Sequence, residues 1–143
     1  MRNWFEKNCD QKEGFWLIYY KKSSGIGDLK YTIIVDILLC YGWIGSLGGK
    51  IDENQTKLYV APRNPKSNWS RVNKDKVKLL NSKVLIHPNG HKMINLAKIS
   101  GAWDALNDVE NLEFRLSYKK LLIKILKHLR IGKSLRGLRE EEY

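Results

Sequence analysis

The 143 residues carry 43% hydrophobic and 10% aromatic side chains, enough apolar surface for one folded domain, which argues against a wholly disordered chain. No run approaches the ~18 apolar residues of a bilayer span, and no secretory leader pattern stands at the start, so the cytoplasm is the expected location. The net charge of +11 is uneven: the first 114 residues hold only +5, while 115–139 hold nine basic residues and no acid. That end would attract phosphates or acidic partners, or simply lie in water as a solvated face.

Residues 2–9 read as the end of a helix, broken at Gly14. Phe15–Lys22 is rich in aromatic and branched residues and reads as a strand. Ser23–Asp28 is a glycine- and serine-containing loop. Between Asp28 and Trp43, Ile33-Ile34-Val35 favours a strand, whereas Ile34, Ile37, Leu38 and Tyr41 recur at helical spacing. Gly42 would end such a helix. Gly48–Asp52 and Thr56–Ala61, separated by Glu53-Asn54-Gln55, read as a hairpin whose second arm ends at Pro62. Arg63–Ser70 is a long loop.

Ser70 or Asn73 caps a helix to about Asn81, with Val77 and Leu80 inward. Pro88 suits the first turn of another, with Met93, Ile94, Leu96 and Ala97 as its stripe. Asp104–Glu113 reads as an acidic loop. Ser117 caps a last helix over about 117–131, with Tyr118, Leu121, Leu122, Ile125, Leu126 and Leu129 on its apolar face. Lys119, Lys120, Lys124, Lys127 and Arg130 form a basic surface on that helix. The expected fold is α+β: a single domain with a small antiparallel sheet, helices packed on one face, and a helical C-terminal part.

Three segments share an order and spacing with a known family. They are Trp16–Lys22, Cys40-Tyr41-Gly42-Trp43-Ile44-Gly45, and Ala61-Pro62-Arg63-Asn64-Pro65-Lys66-Ser67-Asn68-Trp69-Ser70-Arg71-Val72-Asn73. Over roughly residues 4–110 the chain resembles the YdeI/OmpD-associated, or bacteriocin-protection, family. The resemblance implies a helix over Asp28–Trp43. It also implies a binding role in envelope stress and tolerance of cationic antimicrobial peptides, with an outer-membrane porin as partner. Gly45 stands where the family pattern has Asp, and Val60-Ala61 where it has Phe-Thr. Against that pattern the start of the chain and the region near 113–117 look trimmed.

The loop Pro62–Asn73 is the candidate site. Arg63 offers a planar fork of donors for carboxylate or phosphate, Trp69 a flat ring, and Ser70 and Asn73 short polar groups. Cys40, Trp43 and Tyr59 would join them if the first long helix lies beside the hairpin. The alternative is structural: indoles in the core, Arg63 pinning the loop, Ser70 and Asn73 capping a helix. The expected ligand is a protein partner or a small molecule, bound without turnover.

No catalytic residue, metal or cofactor is expected. Cys40 has no histidine beside it in sequence. His87 and His91 are separated by Pro88 and Gly90 with no third ligand at metal spacing. Gly25-Ile26-Gly27 lacks a third glycine, and Gly48-Gly49 lacks the Lys-Ser/Thr of a phosphate loop. Cys9 and Cys40 are expected to be reduced. Two other readings stay open. One is nucleic-acid binding through the basic helix and the 63–83 region, with Lys66, Arg71, Lys74, Lys76 and Lys78. The other is a small-molecule enzyme using a Trp43/Arg63/Trp69 pocket.

Overall fold

A computed structural model describes residues 1–27 and 29–128 of the chain, with side chains described to residue 125. The elements in order are α1 (Arg2–Asn8), β1 (Phe15–Tyr20), a short 3-10 turn (Lys22–Ser24), α2 (Tyr31–Tyr41), β2 (Trp43–Lys50), β3 (Gln55–Pro62), α3 (Arg71–Ser82), α4 (Pro88–Ser100) and α5 (Asn107–His128). They form two compact units, Met1–Leu106 and Asn107–Tyr143.

In the first unit the three strands form one antiparallel sheet in the order β1-β3-β2. Alternation decides its faces. Leu17 on β1 is half-buried and lies opposite Leu58, which is fully packed together with Val60 on β3. Trp16, Ile18 and Tyr20 point the other way and stay exposed. The helices supply the rest of the core, with Phe5, Ile34, Ile37, Leu38, Val77, Leu80, Ile94 and Ala97 all buried. The α+β architecture expected from the sequence is thus the one observed.

Asp28–Trp43 resolves in favour of helical spacing. Ile34, Ile37, Leu38 and Tyr41 are all buried, so tertiary burial outweighs the strand propensity of the Ile-Ile-Val run. Gly42 ends α2 in the left-handed region at φ 75°, and its N–H donates toward Leu38 O and Leu39 O. A Cβ on Gly42 would stand 2.7 Å from Met93 Cγ, because α4 crosses the helix end at that point. The chain then turns directly into β2, which starts at Trp43, five residues earlier than the hairpin expectation. A bulge between Gly45 and Gly48 keeps β2 in register with β3.

The second unit departs from expectation. Its helix begins at Asn107, ten residues before the expected Ser117, and takes up residues 107–113 of the stretch read as a loop, while residues 104–106 form a turn. Asp108 and Glu110 stand in its first turn, where negative charge suits the helix dipole. Every described side chain from 111 to 125 is exposed. Tyr118, Leu121, Leu122 and Ile125 of the expected apolar face are therefore not core. Lys119, Lys120 and Lys124 face solvent, while the side chain of Lys127 and all of Arg130 lie outside the described residues, as do Leu126 and Leu129 as side chains.

Candidate functional site

The loop after β3 turns tightly because Asn64 holds it. Asn64 Oδ1 accepts from Lys66 N at 2.9 Å, and Asn64 O accepts from Ser67 N and Ser67 Oγ. That turn brings Asn68 O back to Arg63, where Nη2 donates to it at 2.8 Å. The Arg63 backbone N–H donates to Gly42 O at 3.0 Å, tying the loop to the end of α2. The guanidinium carbon lies 3.8 Å over the Trp69 ring. Trp69 is buried, contacts Trp103 at 5.0 Å between ring centres, and is anchored by its backbone N–H, which donates to Ala102 O.

Arg63 is only 3% exposed, yet its Nε and Nη1 have no hydrogen-bond partner. Among the described residues no carboxylate offsets it. Burial alone pulls its pKa down to about 10, so the group stays charged at neutral pH. A buried cation with unmade hydrogen bonds costs more than a neutral one, at least about 1–3 kcal/mol for each orphan group.

A pocket of about 360 Å³ lies beside it, between α2, the start of β2 and the start of α3. Its walls include Val35, Leu38, Leu39, Trp43, Ile44 and Val72. Its polar lining is Tyr31, Thr32, Arg63, Ser70, Asn73 and Lys76. Lys76 is already paired with Asp36 at 2.5 Å. Ser70 caps α3 by accepting from Asn73 N at 3.4 Å, so the positive end of that helix meets the pocket. A larger depression of about 510 Å³ runs along residues 19–32, but no buried polar group without a partner lies in it among the described residues.

Of the seven candidate residues, the fold brings Trp43, Arg63, Ser70 and Asn73 to one pocket. Trp69 lies behind Arg63 as core. Trp43 and Trp69 do not pair. Trp43 joins Trp4, Phe5 and Phe15 and donates Nε1–H to Cys9 O at 3.0 Å. Cys40 is fully buried outside the pocket, with Sγ 3.9 Å from Arg2 Nη2 and its carbonyl accepting from His87 N. Tyr59 sits on the opposite face of the sheet, edge-on to Trp16 at 5.3 Å, because it alternates with Leu58 and Val60. Gly45 lines the pocket, and a Cβ there would stand 2.7 Å from Leu58 Cδ2, so a larger residue would require the Leu58 side chain to shift.

Sequence reasoning missed Tyr31, Thr32 and Val35, and named Lys76 only as part of the basic 63–83 region. The first three share one side of α2 at i, i+1 and i+4, next to the core stripe; that spacing was a readable signal. The basic 63–83 region is in part engaged within the fold, although Lys66, Lys78 and Lys83 are exposed. Arg63 and Lys74 are buried, Lys74 Nζ donates to Trp103 O at 3.2 Å, Lys76 pairs with Asp36, and Lys78 lies 3.7 Å from Asp75.

A second polar cluster joins α1 to α4. Tyr41 Oη donates to Glu6 Oε1, and Glu6 Oε2 lies 3.9 Å from His87 Nε2. His87 Nδ1 accepts from Asn89 N at 3.2 Å, capping α4, and lies 3.9 Å from Cys9 Sγ. Burial pushes both the Cys9 and Cys40 thiols up, which keeps them protonated and unreactive at neutral pH. Both cysteines are free. The cluster binds elements together; His87 acts as a cap.

A family model described as a domain of unknown function, DUF8412, matches residues 1–93, and the chain belongs to that family. Neither the curated proteins nor the solved structures yield a match.

Proposed function

We propose that this chain is a binding domain without turnover, and that its ligand occupies the pocket between α2, β2 and α3. The observation that carries this reading is the convergence of Trp43, Arg63, Ser70 and Asn73 on one cavity of about 360 Å³. A concave, mostly apolar site with a few fixed polar groups is the usual form of a small-molecule site. The cellular side of the proposal comes from the YdeI/OmpD-associated resemblance: a cytoplasmic part in envelope stress and tolerance of cationic peptides, with a porin as partner.

Charge constrains how such a role would work. A protein of net charge +11 with a buried guanidinium at its pocket repels cationic peptides. Its part in tolerance is therefore indirect, through an intracellular ligand rather than through capture of the peptide. Nucleic-acid binding keeps one supporting observation, the exposed Lys119, Lys120 and Lys124 on α5. Within the 63–83 region Lys74 and Lys76 are engaged by the fold, while Lys66, Lys78 and Lys83 are exposed.

The test is recovery of the tagged protein from lysate, with and without nuclease, followed by mass spectrometry of the small molecules that denaturation releases. The comparison is Val72→Trp, which fills the pocket mouth from a position that is 65% exposed. The parent should release a compound that Val72→Trp does not. Identical release from both would remove the pocket from consideration. A nuclease-sensitive, salt-sensitive nucleic acid as the sole retained partner would move the function to α5.

A further inference from the structure

Arg63 raises a chemical question that the bare pocket does not answer: what completes it. The side chain is more than nine-tenths buried, two of its three nitrogens lack a partner, and no acid of the described fold approaches it. The neighbouring lysines, one buried and one partly exposed, are satisfied. Lys74 donates to a carbonyl, and Lys76 has Asp36. Arg63 is thus a charged lining group with two buried donors that no described residue satisfies, beside a cavity whose other polar walls are neutral or, at Lys76, already paired.

We propose that the pocket ligand is a small monocarboxylic acid, with its carboxylate completing Arg63 and a branched aliphatic or aromatic body against Val35, Leu38 and Ile44. The proposal rests on the pocket being the binding site. A carboxylate is the acceptor-only, planar group that matches a guanidinium. Its single charge equals the single uncompensated charge of the pocket. A phosphate dianion would bring a second charge into walls that have no free cation to meet it, since Lys76 is already neutralised. The start of α3 adds a favourable potential for one negative group at the same end.

Probes that share a body and differ in charge test the class. Benzoate and 3-methylbutanoate would be titrated into 15N-labelled protein beside benzamide, 3-methylbutanamide and inorganic phosphate. The reporters are the amides of Thr32, Gly45 and Val72 and the Arg63 Nε–H. Each acid should bind at least about 10-fold more tightly than its amide, the value of a charge-assisted hydrogen bond. Arg63→Gln should abolish that preference, so that acid and amide bind alike. The acid–amide comparison on the parent stands by itself if the variant does not fold. Equal binding of acids and amides would overturn the acid assignment and leave the pocket reading intact. Tighter binding of phosphate than of the acids would overturn the single-charge argument. No response of any pocket reporter to any probe at ~10 mM, the weak end of measurable affinity, would overturn both readings.

Discussion

Arg63 was singled out by type alone, as a donor fork in a loop, and its burial was not legible. Nothing in Pro62-Arg63-Asn64-Pro65 says that the guanidinium turns inward over Trp69 rather than into water. Two roles predict opposite energetics. If Arg63 pins the loop, its loss removes a strong bond. If it is held for a ligand, the apo protein carries an uncompensated cation. We expect Arg63→Met to unfold in urea within about 1 kcal/mol of the parent, or to be more stable, because an apolar side chain of similar length replaces a desolvated charge. A loss above about 3 kcal/mol would assign Arg63 to structure. Its pH signature has a definite sign. Folded Arg63 gives up its proton near pH 10, earlier than in the unfolded chain, so stability from this residue rises as pH climbs through that value. The parent should therefore gain on Arg63→Met above pH 10.

Tyr41 acts in the opposite sense. Burial and the Glu6 carboxylate push its pKa up to about 12. Folded Tyr41 keeps its proton where the unfolded chain has lost it. Its contribution is complete below pH 10 and disappears between 10 and 12. Tyr41→Phe should flatten the decline of the thermal midpoint across that window, relative to the parent. An unchanged slope would show that Tyr41 titrates normally when folded.

At the scale of elements, the sequence was most readable where periodicity and caps agreed. Ser70 before α3 and Pro88 at the first turn of α4 marked true starts, and Val77 and Leu80 marked a true inner face. Strand alternation was equally available on β3, yet it places Tyr59 away from Trp43. Residue types alone had grouped them. Asp104–Glu113 misled because acidic and Asn residues look loop-like, although two acids in a first turn also favour a helix start. Gly42 is the junction on which the site depends: it ends α2, immediately precedes β2 and accepts the Arg63 N–H. Gly42→Ala should cost at least about 2 kcal/mol, from left-handed strain plus contact with Met93, as read by chemical denaturation. A neutral result would mean that α4 yields easily and that the pocket end of α2 is soft.

At the scale of the whole molecule, the expected single small domain with a helical C-terminal part is the form observed, and the chain divides into two compact units. Among the described residues the second unit is one helix, which adds length without adding a core. Every buried hydrophobic of the described core falls between Phe5 and Ala102. The first unit also contains the full sheet, the pocket and both aromatic clusters. A chain ending at Leu106 should therefore unfold cooperatively, with a midpoint within about 5 °C of the parent, equivalent to roughly 1 kcal/mol at this size. It should also keep the acid-over-amide preference, since Arg63, Ser70 and Asn73 all remain. The truncation discards the stretch 115–139 with its nine basic residues, so any salt-dependent association with anionic polymers should weaken sharply while pocket binding stays the same. If the shorter chain fails to fold, α5 contributes to the stability of the first unit. If it folds but loses the acid preference, residues beyond 106 help to hold the ligand.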